Sequence, residues 1–61
     1  MSDRIVMELM MRNVCEKIGE QRVCLEATTD PETKEMIQNR ITQLEVERDM
    51  YMAMLNKRYY N

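Results

Sequence analysis

The chain has no histidine, one serine and one glycine. Without histidine it lacks the most common general base and metal ligand, and Ser2 has no base with which to form a nucleophilic pair. A single glycine excludes the glycine-rich loop that cradles phosphates. These absences predict a protein that is not an enzyme, with no cofactor and no bound metal.

Aromatic and turn-forming residues are also scarce. Tryptophan and phenylalanine are absent, tyrosine occurs three times, and there is one proline. This composition, with 33% charged residues, is typical of long helices and not of sheets. A chain of 61 residues forms one domain, residues 1–61, and a core of that size supplies only about 3–5 kcal/mol. Self-association is therefore expected.

The apolar and charge patterns bear on the compartment and the partners. No uninterrupted apolar run approaches the roughly 18 residues that span a bilayer. The N-terminal stretch, with Asp3, Arg4 and Glu8, is a poor secretory signal. A net charge of −2 gives no general attraction to nucleic acid or anionic lipid. We expect a soluble cytoplasmic protein with no membrane partner, and the charge disfavours nucleic acid.

Two cysteines, Cys15 and Cys24, lie nine residues apart. On one helix this spacing puts them on opposite sides and about 13 Å apart along the axis, too far for a disulfide with each other. With no histidine and no Cys-x-x-Cys pair, a metal or redox motif lacks ligands. A redox switch or an intermolecular bridge is conceivable, but free cysteine usually behaves as a small apolar residue, and we expect buried or half-buried thiols.

One short stretch both ends a helix and begins another. Asp30 is a good N-cap, and Pro31 suits the first helical position because its missing N–H is not needed there. Glu32 then lies in the first turn, against the positive end of the helix dipole. A capping box from Thr29 to Glu32 gives the same start within one residue.

The predicted boundaries follow from these signals. The first helix begins with Ser2 or Asp3 as its N-cap and covers about residues 3–27. A turn at residues 28–30 follows, and the second helix covers about residues 31–59. The sequence thus predicts an all-α fold, a two-helix antiparallel hairpin.

Each helix carries a stripe of mostly apolar residues spaced 4, 3, 4, 3, 4, the rhythm of antiparallel helix packing. The first stripe consists of Met7, Met11, Val14, Ile18, Gln21 and Leu25, and the second of Ile37, Ile41, Leu44, Arg48, Tyr51 and Leu55. Folding about the turn brings Ile18 to Ile41 and Val14 to Leu44. These stripes are the predicted core.

Gln21 and Arg48 are the polar positions of these stripes, and Gly19 lies beside the first one. Arg48 is either a group that binds a partner or fixes the register, or a side chain whose stem lies on Met11 while its guanidinium reaches Glu45 or Asp49 at the surface. The second interpretation is favoured. Gly19, beside the first stripe, either permits close approach of another helix or is a tolerated flaw, and we favour the flaw.

Methionine is concentrated in the helix halves far from the turn. Of eight methionines, six lie there: Met7, Met10, Met11, Met50, Met52 and Met54. They cover too much of the helix circumference for one hairpin to bury, and exposed apolar surface of this kind marks an interface. A homodimer that buries it as a four-helix bundle is favoured. A methionine-rich surface that adapts to a different protein is the alternative, and a dimer could do both.

The C-terminal tail combines basic and aromatic residues. Lys57 and Arg58 suit the negative end of a helix dipole. Beside them, Tyr59 and Tyr60 could anchor a protein interface or stack on nucleic-acid bases. Two basic residues are a weak electrostatic footprint, which disfavours the nucleic-acid interpretation.

In length and short turn, the hairpin is similar to the plasmid RNA-binding proteins of the ROP family. This resemblance implies a four-helix bundle that binds nucleic acid on one of its faces. Arg12, Lys57 and Arg58 are the candidate contacts for that function.

The plan is also similar to the short helical-hairpin phosphatases that act on aspartyl-phosphate response regulators. Their signature S-Q-E-L-D falls on residues 41–45, where Leu44 matches and Glu45 stands at the position of the final aspartate. This resemblance implies Mg²⁺-dependent removal of phosphate that depends on Glu45.

Together, the residues predict a small non-enzymatic regulatory protein of the phage or plasmid type, a homodimer that binds a larger protein and inhibits or adapts it. The alternatives are a nucleic-acid-binding four-helix bundle and an aspartyl-phosphate phosphatase. The predicted partner-binding residues are Met10, Arg48, Met50, Met52, Met54, Tyr59 and Tyr60.

Overall fold

In the computed structural model, which describes residues 2–60, the chain folds back on itself as two long helices. Helix α1 runs Asp3–Ala27 and helix α2 runs Pro31–Leu55, with residues 28–30 between them. A short π-helical segment, Asn56–Tyr60, continues from the end of α2. The predicted all-helical fold, with two helices joined by a short turn, is confirmed.

Side-chain caps fix the start of each helix. The Ser2 hydroxyl accepts the N–H of Ile5 at 3.3 Å. The Asp30 carboxylate accepts both the N–H of Thr33, at 3.0 Å, and its hydroxyl, at 2.6 Å. The hydroxyl bond and then the backbone bond hold the pKa of the Asp30 carboxyl below its usual value. Pro31 occupies the first turn of α2, where no donor is needed.

The turn between the helices needs no glycine. Thr28 ends α1 by donating its N–H to the carbonyl oxygen of Cys24 at 3.1 Å, and its hydroxyl accepts the N–H of Asp30 at 3.3 Å. Both Thr28 and Asp30 have extended backbone angles, and no residue in the range 2–60 has a positive φ. The chain therefore reverses direction without a residue of positive φ in the described range.

The two predicted stripes meet to form the core. The buried side chains are Met7, Val14, Ile18, Ile41, Leu44 and Leu55. The expected grouping of Ile18 and Ile41 with Val14 and Leu44 is confirmed, because these four form one cluster. Leu25, Ile37 and Tyr51 pack against it, and the remaining stripe residues, Met11, Gln21 and Arg48, are half-buried.

The molecule is a flat slab, with Cα extents of 43 × 18 × 12 Å. One layer of two helices buries the seam between them but leaves both broad sides open. Neither α1 nor α2, within the residues that the structure describes, has an apolar stretch long enough to cross a bilayer.

Both cysteines are exposed, so the expectation of buried or half-buried thiols is wrong. Cys15 directly follows the buried Val14, and Cys24 directly precedes Leu25. Each thiol is therefore rotated out of the seam by one residue. A single layer of helices has no further element to cover these flanks.

The end of α2 differs from the predicted helix of residues 31–59. After Leu55, residues Asn56–Tyr60 wind as a π-helix, and the N–H of Asn56 is shared between the carbonyl oxygens of Ala53 and Met52. A π-helix turns less per residue than an α-helix, so Tyr60 lies closer to the direction of Leu55 than α-helical winding would put it. Its hydroxyl donates to Glu8 of α1.

Candidate protein-interaction surface

The slab has two broad faces, and the spacing of the seam defines both. Residues three or four apart share one side of a helix, so the positions just before the seam residues form one flank and those just after form the other. Arg22 and Glu45 each follow a seam residue, and their side chains approach to 3.5 Å across the helices. Matching flanks of α1 and α2 therefore lie on the same face.

We name the faces after two of their residues. The Met36 face consists of Val6, Met10, Asn13, Lys17, Glu20 and Cys24 on α1 and of Met36, Arg40, Gln43, Glu47, Met50 and Met54 on α2. The Arg22 face consists of Glu8, Arg12, Cys15, Gly19, Arg22 and Glu26 on α1 and of Gln38, Thr42, Glu45, Asp49, Met52 and Asn56 on α2.

Polar contacts across the helices lie on the Arg22 face. Besides the pair of Arg22 with Glu45, Glu8 accepts the Tyr60 hydroxyl and lies 4.0 Å from the Arg4 guanidinium. The hydrogen bond to Glu8 raises the pKa of the Tyr60 phenol, because it favours the protonated form. Much of this face thus satisfies its polar groups within the hairpin.

The Met36 face combines exposed apolar side chains with charges that lack partners. Met36 and Met50 are 72% and 60% exposed, and Val6, Met10 and Met54 are exposed as well. Among residues 2–60, the charged members of this face make no ion pair; they are Lys17, Glu20, Arg40 and Glu47. This face therefore has both apolar surface and charges left over for an external contact.

A shallow groove crosses the Met36 face near the turn. Its volume is about 500 Å³, and Gln21, Met36, Ile37, Arg40 and Gln43 contribute to its wall. The polar Gln21 takes the place of an apolar seam residue here. The groove is open to solvent and wide enough to admit a side chain from another helix.

Exposed apolar residues are concentrated at the end of the hairpin away from the turn. In the described part of the chain, twelve large hydrophobic side chains are exposed. Nine of them lie at this open end: Ile5, Val6, Leu9, Met10, Met50, Met52, Met54, Tyr59 and Tyr60. The other three, Val23, Met36 and Val46, are scattered along the slab.

The structure distributes the seven predicted partner-binding residues over several regions. Met10, Met50 and Met54 lie together on the Met36 face, whereas Met52 lies on the Arg22 face. Tyr59 and Tyr60 belong to the π-helical segment. These six residues are exposed at the open end but do not form one continuous face.

Arg48, the seventh, lies in the seam with a side chain that is 30% exposed. Its guanidinium donates to Asp49 with two contacts of 3.1 Å. The contact of the guanidinium with a surface carboxylate is confirmed, with Asp49 as the partner, and the contact of the stem with Met11 stays a prediction. Glu45, the other candidate partner, is paired with Arg22.

The predicted partner-binding residues did not include Val6, Met36, Ile5 and Leu9. The signal for the first two was present, because they occupy the same flank as Met10 and Met50 when the seam spacing is shifted by one residue. Ile5 and Leu9 lie outside both stripes and flanks. Their exposure depends on there being no further layer of structure.

The candidate residues for the two alternative functions lie in different parts of the hairpin. Glu45 is half-buried and ion-paired with Arg22. Arg12 lies along the Arg22 face, whereas Lys57 and Arg58 are in the π-helical segment. Within residues 2–60, no group of three carboxylate, thiol or imidazole side chains is arranged to hold a metal ion.

Comparison of the chain with protein-family models, with curated proteins and with solved structures found no match.

Proposed function

We propose that the protein is a cytoplasmic, homodimeric regulator that binds a larger protein through the apolar surface of its open end and inhibits or adapts it. The observation that carries this proposal is the concentration of nine exposed large hydrophobic residues at that end. Single exposed apolar residues are normal on any protein, but so many at one end of the hairpin support an interaction site there.

The chemistry of the open end suits protein recognition. Six of its nine members are methionines or tyrosines: Met10, Met50, Met52, Met54, Tyr59 and Tyr60. Methionine adapts its shape to a partner, and tyrosine supplies a large apolar area with a polar tip. Both exposed cysteines are free, which suits a reducing compartment such as the cytoplasm.

Self-association and partner binding use different parts of this surface in our proposal. A second copy covers Met10 and Met50 on the Met36 face. Leu9, Met52 and Tyr59 then stay available to the larger protein. The hairpin would thereby present the same binding end twice in each dimer.

The test is a binding measurement with a purified partner. The chain serves as bait in a lysate of its source, and the captured protein is produced separately and titrated with wild type and variants. We expect Leu9→Glu and Met52→Glu to weaken binding about tenfold or more, because a carboxylate would be buried in an apolar contact. Val23→Glu is the matched control, since Val23 is exposed near the turn.

The outcomes separate the candidate functions. Equal affinity for wild type, Leu9→Glu and Met52→Glu would overturn the proposed surface. Binding to nucleic acid that weakens steeply with salt would overturn protein recognition in favour of phosphate contacts through Arg12, Lys57 and Arg58. Circular dichroism of each variant confirms that the helices are intact.

A further inference from the structure

We infer that a second copy of this chain covers the Met36 face, with its α2 antiparallel to α2 of the first copy about a two-fold axis at Gln43. This inference deepens the self-association in the proposed function by assigning its face and its register. It does not depend on the identity of the larger protein.

The residue order along α2 is complementary to its own reverse. From the turn toward the open end, the first five residues of the exposed flank are Met36, Arg40, Gln43, Glu47 and Met50, and Met54 follows beyond this symmetric part. These residues are apolar, basic, amide, acidic and apolar, so reversing the order exchanges only the two signs of charge. A two-fold axis at the central amide therefore brings unlike charges together twice.

The contacts that follow satisfy groups that the single hairpin leaves unsatisfied. Arg40 meets Glu47 of the second copy, and neither makes an ion pair within residues 2–60. Gln43 meets Gln43 of the second copy, where each amide can donate and accept a hydrogen bond. Met36 meets Met50 of the second copy, and these are the two most exposed methionines in the described chain.

The groove on the Met36 face supports this register. In the antiparallel arrangement, Glu47 and Met50 of the second copy lie above residues 36–40 of the first. The groove of about 500 Å³ lies there, with Met36, Ile37 and Arg40 in its wall. A flexible methionine side chain can therefore enter the groove while Glu47 stays at its edge beside Arg40.

The flank of α1 is compatible with the same axis. Val6 comes opposite Cys24 of the second copy, Met10 opposite Glu20 and Asn13 opposite Lys17, so no like charges meet. The slab measures 43 × 18 Å between Cα atoms. Such a face offers on the order of 800 Å² per copy, the size of a standard stable interface.

Charge exchange tests the pairing directly. Arg40→Glu alone and Glu47→Arg alone each place like charges opposite each other twice, so each homodimer should weaken about tenfold or more. An equimolar mixture of the two variants restores both unlike pairs and should give a heterodimer. The double variant Arg40→Glu with Glu47→Arg should again form a homodimer.

The measurement is molar mass by light scattering over a tenfold range of concentration, with reductant present. Arg12→Glu is the matched control, because it makes the same charge change on the Arg22 face and should leave the dimer unchanged. Circular dichroism confirms that every variant is helical.

Each outcome bears on the register. Loss of both single-variant homodimers, with recovery in the mixture and in the double variant, supports it. Dimers of unchanged strength in the single variants would overturn the assigned face while self-association stands. A wild-type chain that is monomeric throughout would overturn both self-association and its register, but not partner binding, which Leu9→Glu and Met52→Glu test separately.

Discussion

The two broad faces of the hairpin flank the same seam but differ in how their polar groups are used. On the Arg22 face, an ion pair and a tyrosine hydrogen bond join the helices or their ends, and Met52 is its only exposed large hydrophobic residue within the described chain. On the Met36 face, five such residues are exposed and the four charges make no ion pair among residues 2–60.

This difference indicates which face of the hairpin is better suited to association. Several charged groups of the Arg22 face, namely Glu8, Arg22, Glu45 and Asp49, already have partners within the hairpin and gain less from a further one. A partner on the Met36 face would give it apolar burial and charge pairing together. A face that combines apolar surface with unpaired charges specifies both the strength and the register of an interface.

The largest effect is expected from a substitution in the seam, because both faces depend on the packing of the two helices there. Leu44 lies at the centre of the seam and is 2% exposed. Leu44→Ala should cost about 2–5 kcal/mol, a loss comparable to the whole stability of so small a core. Urea denaturation followed by circular dichroism measures the loss.

Leu9→Ala is the matched control for this substitution, since Leu9 is exposed on α1 and loses the same atoms. A cost for Leu44→Ala no greater than that for Leu9→Ala would contradict the assigned core.

A smaller effect is expected from a substitution at the turn, which holds α1 and α2 in register. Asp30→Ala removes the cap of α2 and its two bonds to Thr33. The melting temperature should fall by about 4–8 °C, as for loss of an N-cap in a domain of this size. Thermal unfolding followed by circular dichroism measures it.

Asp30→Asn is the control, because asparagine caps a helix equally well. Hydrogen bonds from Thr33 lower the pKa of Asp30, so its contribution is present above the unfolded value of 3.8 and is lost as the pH falls through the lower folded value. Asn at this position should remove that part of the acid dependence. An acid transition identical in the two proteins would contradict the role of the carboxylate.

The smallest effect is expected at Gly19, and it tests which of the two faces is the interface. A Cβ added at Gly19, on the Arg22 face, would have no heavy atom within 4 Å outside its own helix backbone. Gly19→Ala should therefore stabilise the protein by about 0.5–1 kcal/mol and leave dimer affinity unchanged. Thermal unfolding and light scattering measure the two quantities. Weaker dimerisation would mean that another helix approaches Gly19 closely and that the Arg22 face is the interface.

Local signals in the sequence were sufficient to predict most of the fold. Asp30 and Pro31 fixed the start of α2 because capping and proline geometry act within one turn. The spacing of the stripes predicted the seam because helical period depends only on residue number. Even the charged seam position was interpretable, since Arg48 has a long stem and a nearby carboxylate, Asp49.

The surface was less predictable, because exposure depends on what lies above each face. Cys15 and Cys24 were expected to be covered, and a single layer of helices leaves both open. The residues of the open end were grouped by distance from the turn, which ignores direction around the helix, so Met52 was placed with Met50. The π-helical winding after Leu55 has no residue signature comparable to a cap.

The ring of Pro31 also restricts how two chains can exchange parts. If the turn became helical, α1 and α2 would merge into one rod, and two such rods could trade their second halves in a domain-swapped dimer. A helical Pro31 would clash with the carbonyl group of Ala27 and could not donate a hydrogen bond to it. This single residue therefore opposes the helical route to swapping and favours the closed hairpin.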